Sequence, residues 1–124
     1  MAKLRMGVVG LGFMGSLHAR IWHELPVTEL VAVADLDPTT GEPLARKYGC
    51  AFHADPAELL ARADIDAVSI VTPDRHHVAP ATAAAAAGKH ILLEKPMAHT
   101  GAAAAEIAAA VERHGVRLMV AHVL

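Results

Sequence analysis

The chain has 124 residues, a formal net charge of −2 and a hydrophobic fraction of 54%. This length favours one domain with one core. Interspersed charges without a basic stripe argue against a nucleic-acid partner. No apolar run reaches the about 18 residues of a membrane span, so we expect no membrane association.

The cysteine and the N-terminal composition bear on the cellular compartment. Cys50 is the single cysteine, so an internal disulfide is excluded and a reducing, cytoplasmic location is expected. Lys3 and Arg5 precede an apolar stretch that loosely resembles a secretory signal. Glycines interrupt that stretch and no small-residue cleavage site follows it, so we disfavour a signal peptide.

Short apolar segments recur along the chain and predict strands. They are Leu4–Val9, Leu30–Ala34, Ala51–Phe52, Ala67–Val71, His90–Leu93 and Arg117–Val123. Most are continuously apolar, which is typical of strands buried on both faces of a parallel sheet.

Longer segments with helical patterns lie between these strands. The predicted helices are Ser16–Glu24, Pro38–Tyr48, Pro56–Arg62, His77–Ala87 and Thr100–His114. Asp37, Asp55 and Thr100 are plausible N-caps, and Gly49, Gly88 and Gly115 are plausible stops. The alternation predicts an α/β fold, a three-layer doubly wound parallel sheet with strand order 3-2-1-4-5-6.

A glycine-rich turn joins the first predicted strand to the first helix. Its sequence is Gly10-Leu11-Gly12-Phe13-Met14-Gly15. In this setting the first glycine permits a tight turn, the second allows close approach of a pyrophosphate, and the third allows the helix to pack on the sheet. The motif predicts a Rossmann fold that binds a dinucleotide.

An aspartate at the end of the second strand strengthens this prediction. Asp35 lies twenty residues after Gly15, where a carboxylate can accept hydrogen bonds from the adenosine ribose. No Arg or Lys lies between Asp35 and Arg46, so NAD is favoured over NADP. Asp37 is more simply interpreted as a turn residue before Pro38.

Two polar clusters follow the fourth and fifth strands, at the edge of the sheet where ligands bind. They are Thr72-Pro73-Asp74-Arg75-His76-His77 and Glu94-Lys95-Pro96. Thr72, His77 and Lys95 offer donors toward a cofactor or substrate, although on physical grounds alone a histidine in such a place is more often a solvated loop or helix-capping residue. The nine histidines lack a His-x-x-x-His spacing, so no metal site is expected.

Together, the glycine turn, Asp35, the segment from Thr72 to His77 and the tripeptide 94–96 resemble the glucose–fructose oxidoreductase, inositol dehydrogenase and MocA family. The resemblance covers the whole chain in order, and the tripeptide is its most specific part. Residues 120–124 resemble the strand that leads that family out of its cofactor domain. Asp74 departs from the pattern, because Asn is commoner there.

The resemblance implies an NAD-dependent oxidoreductase acting on a CH–OH group of a sugar, cyclitol or polyol. It implies that cofactor contacts come from Gly10, Gly12, Phe13, Met14, Gly15, Asp35, Thr72, Pro73, His77, Glu94 and Lys95. Lys95 is the expected catalytic residue, because in that family it commonly orients the substrate hydroxyl or carbonyl, and the peptide bond after it is often cis. Glu94 and Lys95 are expected near the nicotinamide.

The resemblance also implies a domain organisation. Residues 1–124 would form the dinucleotide-binding domain, and the family's second domain, which carries substrate contacts and acid–base groups, would be absent. We therefore expect cofactor binding without useful turnover. If that domain normally covers an apolar flank, this chain should form a homo-oligomer through the surface near its last strand.

Two other functions remain open on the sequence. One is a non-catalytic NAD-binding module, such as a redox sensor. The other is an S-adenosylmethionine-dependent methyltransferase, which has a similar sheet and glycine-rich first turn. The tripeptide 94–96 and the spacing of the third glycine speak against the methyltransferase.

Overall fold

A computed structural model describes residues 2–72, 77–95 and 100–121 of the chain. Its strands are β1 (Leu4–Val9), β2 (Thr28–Ala34), β3 (Ala51–His53), β4 (Ala67–Ile70), β5 (His90–Glu94) and β6 (Leu118–Ala121). Its helices are α1 (Phe13–Glu24), α2 (Pro38–Tyr48), α3 (Pro56–Leu60), α4 (Val78–Ala86) and α5 (Gly101–His114).

The strands form one parallel sheet in the order β3-β2-β1-β4-β5-β6, which confirms the predicted topology. The order reverses between β1 and β4, so the loops after these two strands leave the sheet at its centre. In open sheets of this kind, a crevice forms at that point of reversal.

Most element boundaries agree with the sequence prediction to within two residues, and α1 is the main exception. This helix begins at Phe13, not at Ser16, so Met14 and Gly15 belong to its first turn. The sequence prediction was wrong because glycine has a low helix propensity, whereas here Gly15 is required by packing. The last two residues of the predicted final strand, His122 and Val123, lie outside the described residues.

The predicted helix signals have the expected geometry. Asp37, Asp55 and Thr100 cap α2, α3 and α5, and each side chain accepts a hydrogen bond from a backbone N–H of the first turn. Gly49 and Gly115 end α2 and α5 in the left-handed conformation. These signals are local in sequence, which is why they could be recognised without the structure.

The core lies on both faces of the sheet. On one face β4 and β5 pack against α3, α4 and α5, and the buried Ala81, Ala84 and Ala85 of α4 allow that helix to approach the strands closely. On the other face α1 and α2 pack over β1 and β2. In the described part of the chain no helix has the length and apolar character needed to cross a membrane.

Polar side chains close the edge of the sheet where the strands begin. Arg5 forms a two-pronged ion pair with Asp66, with Nη2 to Oδ1 at 3.0 Å. Lys89 is buried, and its Nζ donates to the carbonyls of Arg62 and Ile65, the latter at 2.8 Å. We call Arg5, Asp66 and Lys89 the amino-edge cluster.

Candidate functional site

A cleft of about 1110 Å³ opens at the carboxyl ends of the strands. It runs from the end of β2 across β1 and β4 to the end of β5. Its polar and backbone lining comes from Gly10, Gly12, Asp35, Asp55, Thr72, Glu94 and Glu106, and its apolar lining includes Met14, Leu36 and Val78. Six of the predicted site residues line this cleft, where the strand order reverses: Gly10, Gly12, Met14, Asp35, Thr72 and Glu94.

The glycine turn has the geometry that its sequence predicted. Gly10 has a φ of +93°, and a Cβ there would lie 2.9 Å from the Thr72 nitrogen. A Cβ on Gly15 would lie 1.8 Å from the Gly10 carbonyl oxygen, so the helix could not pack in its present position. Gly12 is exposed, and a Cβ there would meet nothing within 4 Å. Fold constraints explain two of the glycines, whereas the absent side chain of Gly12 leaves space toward the cleft.

The N-terminus of α1 also differs from that of most other helices. Gly12 is its N-cap residue, no side chain accepts from the first turn, and no acidic residue lies there. By contrast, α2, α3 and α5 each have a capping side chain. Because α1 has none, the N–H groups of its first turn remain available to an anion. The helix dipole adds positive potential at the same place.

Asp35 fastens the glycine turn to the end of β2. Its Oδ2 accepts from the Leu11 N–H at 2.9 Å, and its Oδ1 accepts from the Asp37 N–H at the same distance. Each carboxylate oxygen can accept a further hydrogen bond, so the side chain can still bind a diol. The bond to Leu11 was not foreseen from the sequence, because the two residues are 24 positions apart.

Asp37 has the structural role that the sequence favoured. Its carboxylate accepts from the N–H and the hydroxyl of Thr39 and from the hydroxyl of Thr40. These hydrogen bonds stabilise the ionised form, first through the Thr39 hydroxyl, and lower the pKa of Asp37. Asp37 does not line the cleft.

The charged side chains that line the cleft in the described part of the chain are all acidic. Asp35, Asp55, Glu94 and Glu106 line it, and no lysine or arginine lines it among the residues the structure describes. A bound pyrophosphate would therefore depend on backbone N–H groups and the α1 dipole. A further phosphate beside Asp35 would meet uncompensated negative charge.

His77 differs from the prediction that it donates toward the cleft. His77 is 1% exposed and does not line the cleft, and its Nε2 donates to the Thr72 carbonyl. It occupies the N-cap position of α4 without a capping side-chain bond, so it is neither a solvated nor a capping residue. The sequence did not predict the burial of His77, because the residues that precede it are mostly polar. Thr72 itself is half-buried and lines the cleft.

The fifth strand brings Glu94 and Lys95 to the far end of the cleft. Glu94 is buried, lines the cleft, and its Oε2 lies 2.9 Å from Nε2 of His18. Lys95 follows directly and is exposed. In the glycine turn, Met14 lines the cleft and Phe13 is 87% exposed.

The residues behind Glu94 were missed by sequence reasoning. His18 Nδ1 lies 3.0 Å from the Ser69 hydroxyl, which in turn accepts from Trp22 Nε1 at 2.8 Å. His18 and Trp22 are four residues apart on α1, so they share a helix face. A polar Ser69 inside the apolar strand β4 was the available signal, but nothing in the sequence identified its partners.

Several predicted site positions lie outside the described residues. They are Pro73, Asp74, Arg75, His76 and Pro96, with the peptide bond that precedes Pro96. Within the ranges 2–72, 77–95 and 100–121, no group of three or more His, Cys, Asp or Glu side chains could hold a metal ion.

The turn, the uncapped helix and Asp35 define a dinucleotide-binding α/β domain. The open space at Gly12 fits a pyrophosphate, the first turn of α1 supplies donors to it, and Asp35 can accept from a ribose diol. The residues present therefore fit NAD.

Comparisons with known proteins agree with this class. Residues 4–122 match the family model described as an oxidoreductase family with an NAD-binding Rossmann fold. The chain is 42% identical over 119 residues to inositol 2-dehydrogenase 1 of Saccharopolyspora erythraea, which covers 94% of this chain and 35% of that protein.

Solved structures of similar proteins have the same fold. The crystal structure of GenD2 from gentamicin A biosynthesis, in complex with NAD, is 34% identical with a TM-score of 0.91, over 97% of this chain and 34% of that one. The scyllo-inositol dehydrogenase of Lactobacillus casei, with bound NAD(H) and scyllo-inositol, is 28% identical with a TM-score of 0.87, over 95% and 36%.

The chain belongs to the family of oxidoreductases, with an NAD-binding Rossmann fold, that includes glucose–fructose oxidoreductase, inositol dehydrogenase and MocA. It spans about a third of the length of the relatives it matches. Membership confirms the resemblance noted in the sequence, and the methyltransferase alternative has no further support.

Proposed function

We propose that this chain holds NAD for a dehydrogenase that moves hydride between the cofactor and a sugar, cyclitol or related alcohol. The observation that carries the proposal is the cradle formed by Gly12, the uncapped start of α1 and Asp35. Relatives named as inositol, levoglucosan and UDP-N-acetylglucosamine dehydrogenases support the substrate class.

Each part of the cleft has a proposed partner in the cofactor. Gly10, Gly12 and the first turn of α1 would hold the pyrophosphate, and Asp35 would accept from the adenosine ribose. The nicotinamide half then extends over β4 and β5, because the two halves of a dinucleotide lie on opposite sides of the point where the strand order reverses.

Phe13, Met14, Thr72 and Pro73 are proposed to contact the cofactor beside these groups. His77 contributes through its hydrogen bond to the Thr72 carbonyl, which fixes the start of the loop after β4. We therefore propose that His77 supports the cofactor site without touching the cofactor.

The nicotinamide, when bound, accepts or donates the hydride, and Lys95 is the proposed residue for the substrate. An exposed ammonium directly after β5 can donate a hydrogen bond to a substrate hydroxyl or carbonyl oxygen. Glu94, one residue earlier, is the last residue of β5 and lines the cleft. The relatives' greater length supports the expectation that further catalytic groups come from a second domain.

The acidic lining supports NAD over NADP. A 2′-phosphate would replace a hydroxyl beside Asp35, with Asp55 also lining that end of the cleft. Because no described lining residue is basic, the extra charge would be repelled.

Some expectations about location and partners rest on the sequence alone. Cytoplasmic location, absence of a nucleic-acid or membrane partner, and self-association of the chain all remain predictions. Sedimentation velocity at increasing concentration tests self-association, and a monomer at every concentration would contradict it.

Calorimetric titration with NAD and NADP tests the proposed function. Wild type should bind NAD saturably and NADP more weakly. Asp35→Ala should weaken NAD binding by on the order of tenfold or more, because charge-assisted hydrogen bonds are lost. Asp37→Ala is the matched control: it removes a nearby carboxylate that does not line the cleft, so NAD affinity should change by less than about threefold. A folded wild type that binds no NAD would contradict the proposal.

A further inference from the structure

A hydrogen-bonded chain of four side chains connects the interior of the sheet with the cleft. It runs from Trp22 through Ser69 and His18 to Glu94. Trp22 and His18 belong to α1, Ser69 to β4 and Glu94 to β5. The chain therefore joins the helix behind the glycine turn to the strand at the opposite end of the cleft.

The direction of each hydrogen bond follows from its donors. Trp22 can only donate, so the Ser69 hydroxyl accepts from it. Ser69 is fully buried, and its own proton has one acceptor in the described part of the chain, Nδ1 of His18. We assign the His18 proton to Nε2, which donates to Glu94 Oε2 at 2.9 Å.

This arrangement holds one oxygen of Glu94 and leaves the other for a ligand. The side chains of His18 and Glu94 are only 11% and 12% exposed, so the contact is largely shielded from solvent. Glu94 lines the cleft, and within the described residues its Oε1 has no protein partner. A fixed negative charge thus faces the end of the cleft over β5.

The position of this charge along the cleft determines what it meets. Asp35 directly follows β2 and Glu94 ends β5, and these two strands are three strand spacings apart, or about 14 Å. With the adenosine ribose at Asp35, the nicotinamide half lies toward Glu94. The oxidised ring carries a positive charge and the reduced ring carries none, so a carboxylate beside it stabilises the two forms unequally.

We propose that His18, supported by Ser69 and Trp22, is a positioning residue that fixes the Glu94 carboxylate so that the cleft prefers oxidised over reduced NAD. The inference rests on the proposed function. His18 does not itself line the cleft, and it acts through Glu94. Without the imidazole, the carboxylate is free to rotate away from the cleft, and the preference falls.

The test compares calorimetric affinities for NAD⁺, NADH and ADP-ribose in each variant. The readout is the NADH-to-NAD⁺ ratio of dissociation constants, which does not depend on the folded fraction of a variant. Glu94→Gln keeps an acceptor for His18 but removes the charge, and should lower the ratio by about tenfold. His18→Leu should lower it nearly as much, whereas ADP-ribose affinity should change by less than about twofold in both.

Two further variants separate positioning from general packing. His18→Gln retains an N–H donor near Nε2 and should restore most of the ratio lost in His18→Leu. His23→Leu, which removes an exposed histidine on the same helix, should leave the ratio at its wild-type value. In the double variant His18→Leu/Glu94→Gln, the effects should not add, because both act on one carboxylate.

The outcomes distinguish this inference from the proposed function. If wild type binds ADP-ribose and the ratio in His18→Leu stays within twofold of wild type, the positioning role of His18 is wrong and the cofactor site stands. An unchanged ratio in Glu94→Gln would likewise remove the Glu94 charge from the preference. If a folded wild type does not bind ADP-ribose, the proposed function fails and this inference fails with it.

Discussion

The two edges of the sheet use carboxylates in opposite ways. At the amino edge, Asp66 accepts from the guanidinium and the backbone N–H of Arg5, so its charge is matched within the chain. At the carboxyl edge, Asp35 accepts from backbone N–H groups and Glu94 from an imidazole, with no basic lining residue in the described cleft. The charged groups of the amino edge are paired with each other or with the backbone, whereas the carboxyl edge keeps hydrogen-bond acceptors and an open cleft for a ligand.

We infer from this contrast that the amino edge contributes mainly to stability and the cleft mainly to binding. Substitutions in the amino-edge cluster should lower the free energy of unfolding and leave NAD affinity unchanged. Substitutions at the cleft should change affinity, and they should change stability only where packing also requires the native residue. The glycines of the first turn provide the strongest test, because one of them serves packing and another does not.

The largest expected effect is the difference in stability between the variants Gly15→Val and Gly12→Val. A side chain at position 15 would collide with the Gly10 carbonyl, so we expect a loss of more than about 3 kcal/mol in stability and no NAD binding. Position 12 has open space, so its variant should melt near the wild-type temperature and still lose NAD binding. Thermal unfolding and calorimetry measure both properties. Wild-type NAD affinity in Gly12→Val would contradict the pyrophosphate position.

Lys89→Met should give the next largest effect, on stability alone. The buried bond to the Ile65 carbonyl and the partly buried bond to the Arg62 carbonyl are both lost, which costs about 2 kcal/mol in the free energy of unfolding. Chemical denaturation measures this loss. NAD affinity should stay within twofold of wild type, and a larger change in affinity would show that the two edges are coupled.

The double variant Asp35→Ser/Leu36→Arg should exchange the cofactor preference. Removing the carboxylate and adding a guanidinium beside the ribose should favour the 2′-phosphate, by on the order of tenfold in relative affinity. Leu36 is exposed and lines the cleft, so the arginine can be accommodated. Titration with NAD and NADP measures the exchange. Unchanged selectivity would remove Asp35 from the ribose site.

Asp66→Asn should give the smallest effect, and this effect should depend on pH. Hydrogen bonding to the Arg5 guanidinium, followed by that to the Arg5 N–H, lowers the pKa of Asp66 in the folded chain. Its stabilisation is therefore present at neutral pH and is lost as the pH falls through the folded-state pKa. Because the pair is partly exposed, we expect a fall of roughly 2 °C in melting temperature at pH 7.

The low-pH comparison is the control for Asp66→Asn. Wild type and variant should melt together once the carboxyl group is protonated in both the folded and unfolded states. A difference that persists in acid would assign the effect to packing, and not to the ion pair.

The fold, and the part of the cleft formed by the glycine turn and Asp35, could be predicted because their sequence signals are local. Glycines, proline-flanked caps and an acid after a strand act through the backbone within a few residues. The part of the cleft at the ends of β4 and β5 depends on contacts between residues that are distant in sequence. His18 and Glu94 are 76 positions apart, and the burial of His77 depends on how the loop after β4 packs. Periodicity and spacing do not report such contacts.

The start of α1 was also predicted wrongly, although the residues that determine it are close in sequence. Glycine is a poor helix former, so the sequence placed the helix start after Gly15, whereas close packing against Gly10 includes Gly15 in the first turn. Tertiary packing outweighed intrinsic propensity at this position.

The most direct test of the cofactor site is a titration of the ¹⁵N-labelled chain with NAD, followed by amide chemical shifts. If the cleft holds NAD as proposed, saturable shifts should appear at residues 10–16, at Asp35 and at Glu94, and the amides of Arg5, Asp66 and Lys89 should not shift. Saturable shifts confined to the amino edge, or no shifts in a folded chain, would contradict it.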